Sequence, residues 1–210
     1  MAMRRESSTI VVMIGEPDDR LLTALARSPN VSVARAADAD RPIAAERPRS
    51  GWERGAQAMR EAARKRSTYV IVPEDPLAAV AARWLAMWDV PGGPDAAADF
   101  EAGAADALAA WRSKQFELPD YYLVIAPASA PDGTGTDLYL GPLRAVAPRR
   151  VAVAAVTAGP VRPAQVINAL RGLEPGPWWP PLDDLVEVAR RFYPGAIADP
   201  GESRAPESAS

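Results

Sequence analysis

The 210-residue chain contains neither histidine nor cysteine. Most acid–base and nucleophilic chemistry near neutral pH uses imidazole or thiolate, because those groups titrate close to the working pH. Ser-His-Asp and Cys-His catalysis, structural zinc, imidazole- or thiolate-held haem, iron–sulfur clusters and disulfides are therefore excluded together. Lysine is nearly absent as well: Lys65 and Lys114 are the only two, so arginine supplies almost all of the 24 basic groups. With 27 acidic groups and a net charge of -3, the chain lacks the basic excess that general nucleic-acid binding requires. Long hydrophobic runs are missing too. Met1 to Glu6 carries two arginines with no apolar signal-type segment after them, and Thr9 to Ile14 is too short to span a bilayer. A cytoplasmic protein without membrane contact is expected, and the arginine, alanine and proline bias suits a GC-rich bacterial genome.

What remains for function is carboxylate, hydroxyl, guanidinium, aromatic ring and backbone. Hydrophobic residues make up 48% of the chain, but about 43 of them are alanine. The core must therefore be built by helices that approach a sheet closely. The length suits one domain, expected over residues 1–194. Residues 195–210, rich in Pro, Gly, Ser and Glu, are expected to form a disordered tail.

Apolar, β-branched runs without period-two alternation predict strands buried on both faces at 9–14, 31–34, 69–72, 121–126 and 151–156. Helical signals lie between them. Pro17, Asp18 and Asp19 suit a first helical turn followed by Leu21, Leu22 and Leu25. Ser50-Gly51-Trp52-Glu53 has the spacing of a capping box. Asp75-Pro76 reads as an N-cap before Leu77, Val80, Ala81, Trp84, Leu85 and Trp88, the clearest helical period in the chain. A second helix over about 95–116 follows the Pro91-Gly92-Gly93-Pro94 break. A short helix between Gly141 and Ala147 and two later helices complete the pattern. Strands alternating with helices predict an α/β fold with a mainly parallel, five-stranded open sheet, doubly wound in a flavodoxin-like (2-1-3-4-5) or Rossmann-like order. An extra helix pair is expected between strands 3 and 4.

In such a sheet, ligands bind beyond the carboxyl ends of the strands. Glu16, Asp18, Asp19, Glu74 and Asp75 fall there, and carboxylates in that place suit Mg²⁺ together with a phosphorylated substrate. Against this, Asp18, Asp19 and Asp75 also read as helix-cap and first-turn residues, and that structural role is favoured. The acids after strand 1 resemble the layout of response-regulator receivers and TOPRIM-type metal domains. The receiver pattern fails because Val72 is followed by Pro73-Glu74-Asp75 and no lysine follows strand 5. The TOPRIM pattern fails because the only D-x-D is Asp38-Ala39-Asp40. No G-x-G-x-x-G or Walker A loop is present, so no bound cofactor is expected. Gly133, Thr134, Gly135 and Thr136 could cradle an anion through backbone N–H groups, although a plain turn is the simpler reading. The arginines between Arg47 and Arg66 are interleaved with Glu46, Glu53 and Glu61 and read as a solvated face. Trp178 and Trp179, bracketed by prolines, form a stiff loop that suits both a core plug and an interaction anchor, with one ring expected inside and one partly exposed. These features predict a non-catalytic binding or regulatory module with a protein partner or a small-molecule ligand. The alternative is a Mg²⁺-assisted enzyme acting on a phosphorylated or nucleotide-like small molecule.

Overall fold

A computed structural model describes residues 8–15, 17–36, 51–89, 94–127, 135–156 and 160–192. The five expected strands are present as β1 (Thr9–Ile14), β2 (Val31–Val33), β3 (Tyr69–Val72), β4 (Tyr121–Pro127) and β5 (Val151–Val156). All pair in parallel within one sheet. The helices are α1 (Asp19–Ala26), α2 (Gly51–Ala62), α3 (Ala78–Asp89), α4 (Pro94–Arg112), α5 (Arg144–Val146), α6 (Pro163–Arg171) and α7 (Leu182–Arg191). The expected helix pair between β3 and β4 is α3 and α4. The tail at 195–210 lies outside the described residues.

The sheet order is β2-β3-β1-β4-β5, consistent with a Rossmann-like arrangement. The flavodoxin-like order 2-1-3-4-5 is thereby corrected: β3, not β2, neighbours β1 on that side. Burial explains the placement. Val70, Ile71 and Val72 are fully buried, as a strand covered on both sides must be, whereas β2 has three residues and leaves Ser32 and Val33 half-buried, suiting an edge.

Connection direction then distributes the helices. Only β1 to β2 runs toward the β2 edge; every later connection runs the other way. Right-handed crossovers therefore send α1 to one face and the helices from α2 to α5 to the other. Side chains divide accordingly. Val12, Ile14, Val70, Val72, Tyr122 and Val124 pack with α2, α3, α4 and α7, while Val11, Met13, Ile71, Leu123 and Ile125 pack with α1 and α6. The crossover from β3 to β4 must pass over β1, and this is the connection that carries two helices. Trp84 of α3 is fully buried, and its indole N–H donates to the Ala189 carbonyl of α7 at 2.7 Å, tying the helix pair to the C-terminal helix.

Candidate functional site at the carboxyl ends of β1, β3 and β4

β1 ends at Gly15, whose φ of +107° is rarely adopted by residues with side chains; a Cβ there would sit 2.6 Å from the Ile125 carbonyl oxygen. The close approach of β1 and β4 at this point forms one wall of a cleft of about 530 Å³. Met13, Ile14, Ala78, Ala81 and Ile125 provide apolar surface, and Asp75, Thr136 and Tyr139 provide polar atoms. Asp75 is the only ionisable acid or base among the described residues lining it, apart from the Tyr139 phenol.

Asp75 is 7% exposed and accepts three hydrogen bonds. The Leu77 backbone N–H donates to Oδ1 at 3.0 Å, the Tyr122 hydroxyl donates to Oδ1 at 3.0 Å, and the Tyr139 hydroxyl donates to Oδ2. Burial pushes its carboxyl up to about 6, opposed by these three hydrogen bonds. Burial and the facing carboxylate push both phenols well above their ordinary range, so the tyrosines remain donors at neutral pH. At neutral pH the carboxylate is thus largely ionised, and among the described residues its charge is met by two hydroxyl groups and a backbone N–H.

Each partner is placed by its own segment. The expected cap role of Asp75 is observed in its bond to Leu77. Tyr122 faces α3 because alternation along β4 sends Tyr121 to the opposite side of the sheet. Tyr139 opens a π-helical turn (Tyr139–Leu143) containing Pro142. Proline has no N–H for the carbonyl four residues earlier, and the turn widens there before α5 begins. The Thr136 carbonyl starts this segment by accepting from the N–H groups of Tyr139 and Leu140, each at 3.0 Å. The short helix expected from 141 thus begins earlier, at Asp137, and its π-helical part opens at Tyr139, the residue that reaches Asp75.

The other expected site residues are dispersed. Asp18 caps α1, accepting from the Leu21 N–H at 2.7 Å. Asp19 pairs with Arg35 at 2.6 Å. Burial raises the Glu74 pKa, opposed in part by backbone hydrogen bonds and by Arg54 and Arg35, and among the described residues its Oε2 is buried without a hydrogen-bond partner. Among the described residues, no three acidic side chains come close enough together to hold a metal ion. Glu16 lies outside the described residues, as do Gly133 and Thr134 of the expected anion loop. Gly135 and Thr136 of that loop line the cleft.

Trp179 is 5% exposed. Its indole N–H donates to the Pro119 carbonyl at 2.7 Å, and its ring meets Tyr122 edge-on at 5.6 Å. Trp178 is 46% exposed and lies over the Arg150 guanidinium, which also covers the Tyr121 ring. Arg150 donates to the carbonyls of Pro177, Gly176 and Asp120 at 2.8, 2.6 and 3.2 Å. It is a structural clamp for the proline-rich loop. Arg60 of α2 and Arg64, in the turn after it, are exposed and bond to the Gln115 carbonyl and the Glu61 carboxylate, as expected of a solvated face. A second groove, of about 650 Å³, runs between α2 and residues 114–117, away from the strand carboxyl ends.

No protein-family model, no curated protein and no solved structure matches the chain. Among the described residues, no helix is long and apolar enough to cross a membrane. Fold and cleft define the class: an open parallel-sheet α/β protein with a ligand-sized crevice at the strand carboxyl ends.

Proposed function

We propose that this protein is a non-catalytic binding or regulatory module whose ligand is a small molecule held in the cleft between β1, α3 and the turn at Tyr139. The supporting observation is the character of that cleft. It has the volume of a small-molecule site, apolar walls, and one polar pole made by Asp75, Tyr139 and Thr136. Rigid elements hold the pole: Asp75 is tied to the start of α3, to β4 through Tyr122, and to the π-turn through Tyr139. A site fixed before the ligand arrives loses little freedom on binding. The ring of Trp178 offers a protein partner a separate, loop-borne contact on an Arg150-braced platform. A Mg²⁺-assisted role would need Glu16 to join acids that the helix cap at Asp18 and the Arg35 pair at Asp19 already engage.

The test is capture of small molecules. Purified protein is incubated with the metabolite fraction of bacterial cells, washed and denatured, and the released compounds are identified by mass spectrometry. Ala82→Trp, which fills the cleft from an exposed position on its lining, is the control. A compound retained by the wild type and lost from that variant supports the reading. Identical recoveries from the two proteins overturn it.

A further inference from the structure

Resting on that reading of the cleft, we propose that its ligand is a compact organic cation, a primary alkylammonium with a short apolar body, seated with its nitrogen on Asp75 Oδ2 and the Tyr139 hydroxyl oxygen. Three observations carry the assignment.

The first is that the two helix N-termini beside this cleft are already occupied by the chain's own carboxylates. Helix N-termini at the strand carboxyl ends bind phosphate through free N–H groups and the helix dipole. Here the α1 terminus is capped by the Asp18 carboxylate, and the N–H of Leu77, which leads into α3, is taken by Asp75. An incoming phosphate or carboxylate would meet two carboxylates where it needs donors.

The second is the unused acceptor capacity of the polar pole. An ionised carboxylate has roughly four lone-pair sites, and Asp75 fills three, two on Oδ1 and one on Oδ2. The remaining site is on Oδ2. The Tyr139 oxygen, having donated its proton to that same atom, keeps lone pairs of its own, and Tyr139, like Asp75, is one of the residues that line the cleft. Two adjacent acceptors match the multiple donors of an ammonium group.

The third is charge and polarity around the pole. Neither arginine nor lysine lines the cleft among the described residues, and Ile14, Ala78, Ala81 and Ile125 supply its walls. A buried anion facing apolar walls favours a ligand that brings a positive charge and a short hydrocarbon body. The raised carboxyl pKa of Asp75 agrees with an anion that gains from a cation.

The experiment uses the full chain at pH 7.5 with four probes: n-pentylammonium, 1-pentanol, n-pentanoate and inorganic phosphate. Binding is followed through the amide resonances of Gly15, Ala81 and Gly135. Pentylammonium is expected to shift these amides saturably and to bind at least tenfold more tightly than pentanol, with no saturable response to pentanoate or phosphate. In Asp75→Asn the ammonium and the alcohol should bind within about twofold of each other. Tyr139→Phe, which keeps the carboxylate, should retain the preference for the cation. The wild-type comparison stands by itself should Asp75→Asn not fold. Equal binding of pentanol and pentylammonium to the wild type overturns the ligand assignment and leaves the cleft reading intact. Preferential binding of pentanoate or phosphate also overturns it. Absence of a saturable shift with pentylammonium overturns the ligand assignment, while the cleft reading stands or falls on the capture comparison with Ala82→Trp.

Discussion

Gly55 of α2 lies against the Asp75–Pro76 peptide so closely that a Cβ on it would stand 2.2 Å from the Pro76 nitrogen. The neighbouring atoms are backbone and cannot swing away. A helix that must pass this near the β3 terminus requires glycine, and its passage fixes the segment that presents Asp75. Alanine at an exposed helical glycine stabilises by about 1 kcal/mol. Gly55→Ala should instead destabilise by about 2 kcal/mol or more through overpacking. Urea denaturation gives the sign directly, and a raised midpoint would show that α2 does not brace the site.

Trp84 tests the helix pair. The ring is fully buried and bonded to Ala189, so Trp84→Ala should cost about 3 to 5 kcal/mol as a large-to-small core change. Trp84→Phe keeps much of the volume and removes the indole donor from the Ala189 carbonyl, which retains the Phe192 N–H, and should cost less than the alanine variant. An unchanged denaturation midpoint in both variants would mean that α3 and α4 do not stabilise the domain.

Arg150 and Trp178 should respond in opposite ways although they touch. The Arg150 guanidinium donates to three carbonyls and lies against two rings. Lysine cannot reproduce that fork, and Arg150→Lys should lose about 2 to 4 kcal/mol, since each hydrogen bond to a charged group contributes about 1.5 to 3 kcal/mol. Trp178→Ala, which removes an exposed ring, should change stability by under about 1 kcal/mol. Thermal unfolding of the two variants checks both. Equal losses would mean that the ring, not the guanidinium, secures the loop.

Stability should also carry the signature of a carboxyl whose pKa is raised by folding. Asp75 moves from 3.8 up to about 6, so well below pH 3.8 both states hold the proton and its contribution is fully present. As pH rises through the folded pKa the native state must give up a proton it binds more tightly than the unfolded chain, and stability falls. The wild type should lose roughly 3 kcal/mol relative to Asp75→Asn between about pH 4 and pH 7, at about 1.4 kcal/mol per tenfold difference in proton affinity. Comparison with the variant cancels the titration of Glu101 and Glu187, which arginines shift the opposite way. A pH-independent difference would rule out the raised pKa.

The five strands were legible in the sequence because each is a short apolar run, and the cap at Asp75 was legible because Asp-Pro stands directly before a helical period. Sheet order was not. Whether β2 or β3 lies beside β1 depends on which strand must be covered on both faces, and Ser32 in a three-residue strand was the only local hint. The site was half legible. Asp75 was singled out as a carboxylate at a strand end, but the tyrosines that define its environment lie 47 and 64 residues further along the chain. Tyr122 reads as an ordinary strand residue, and Tyr139 precedes a Gly-Pro pair whose widened turn has no simple local pattern. The metal reading treated neighbouring acids as one cluster. Asp75 is engaged by two tyrosines and the Leu77 N–H, Glu74 is acted on by Arg54 and Arg35, and Asp18 and Asp19 satisfy a helix end and an arginine.

The most direct measurement is the side-chain carboxyl ¹³C shift of Asp75, followed by NMR from pH 3 to pH 8 and assigned through Asp75→Asn. A buried carboxylate held by Tyr122 and Tyr139, and serving as the cleft's anionic pole, should titrate with a midpoint of about 6. A midpoint near 3.8, the value of an unperturbed aspartate, would show a solvated carboxyl and contradict the site built on it.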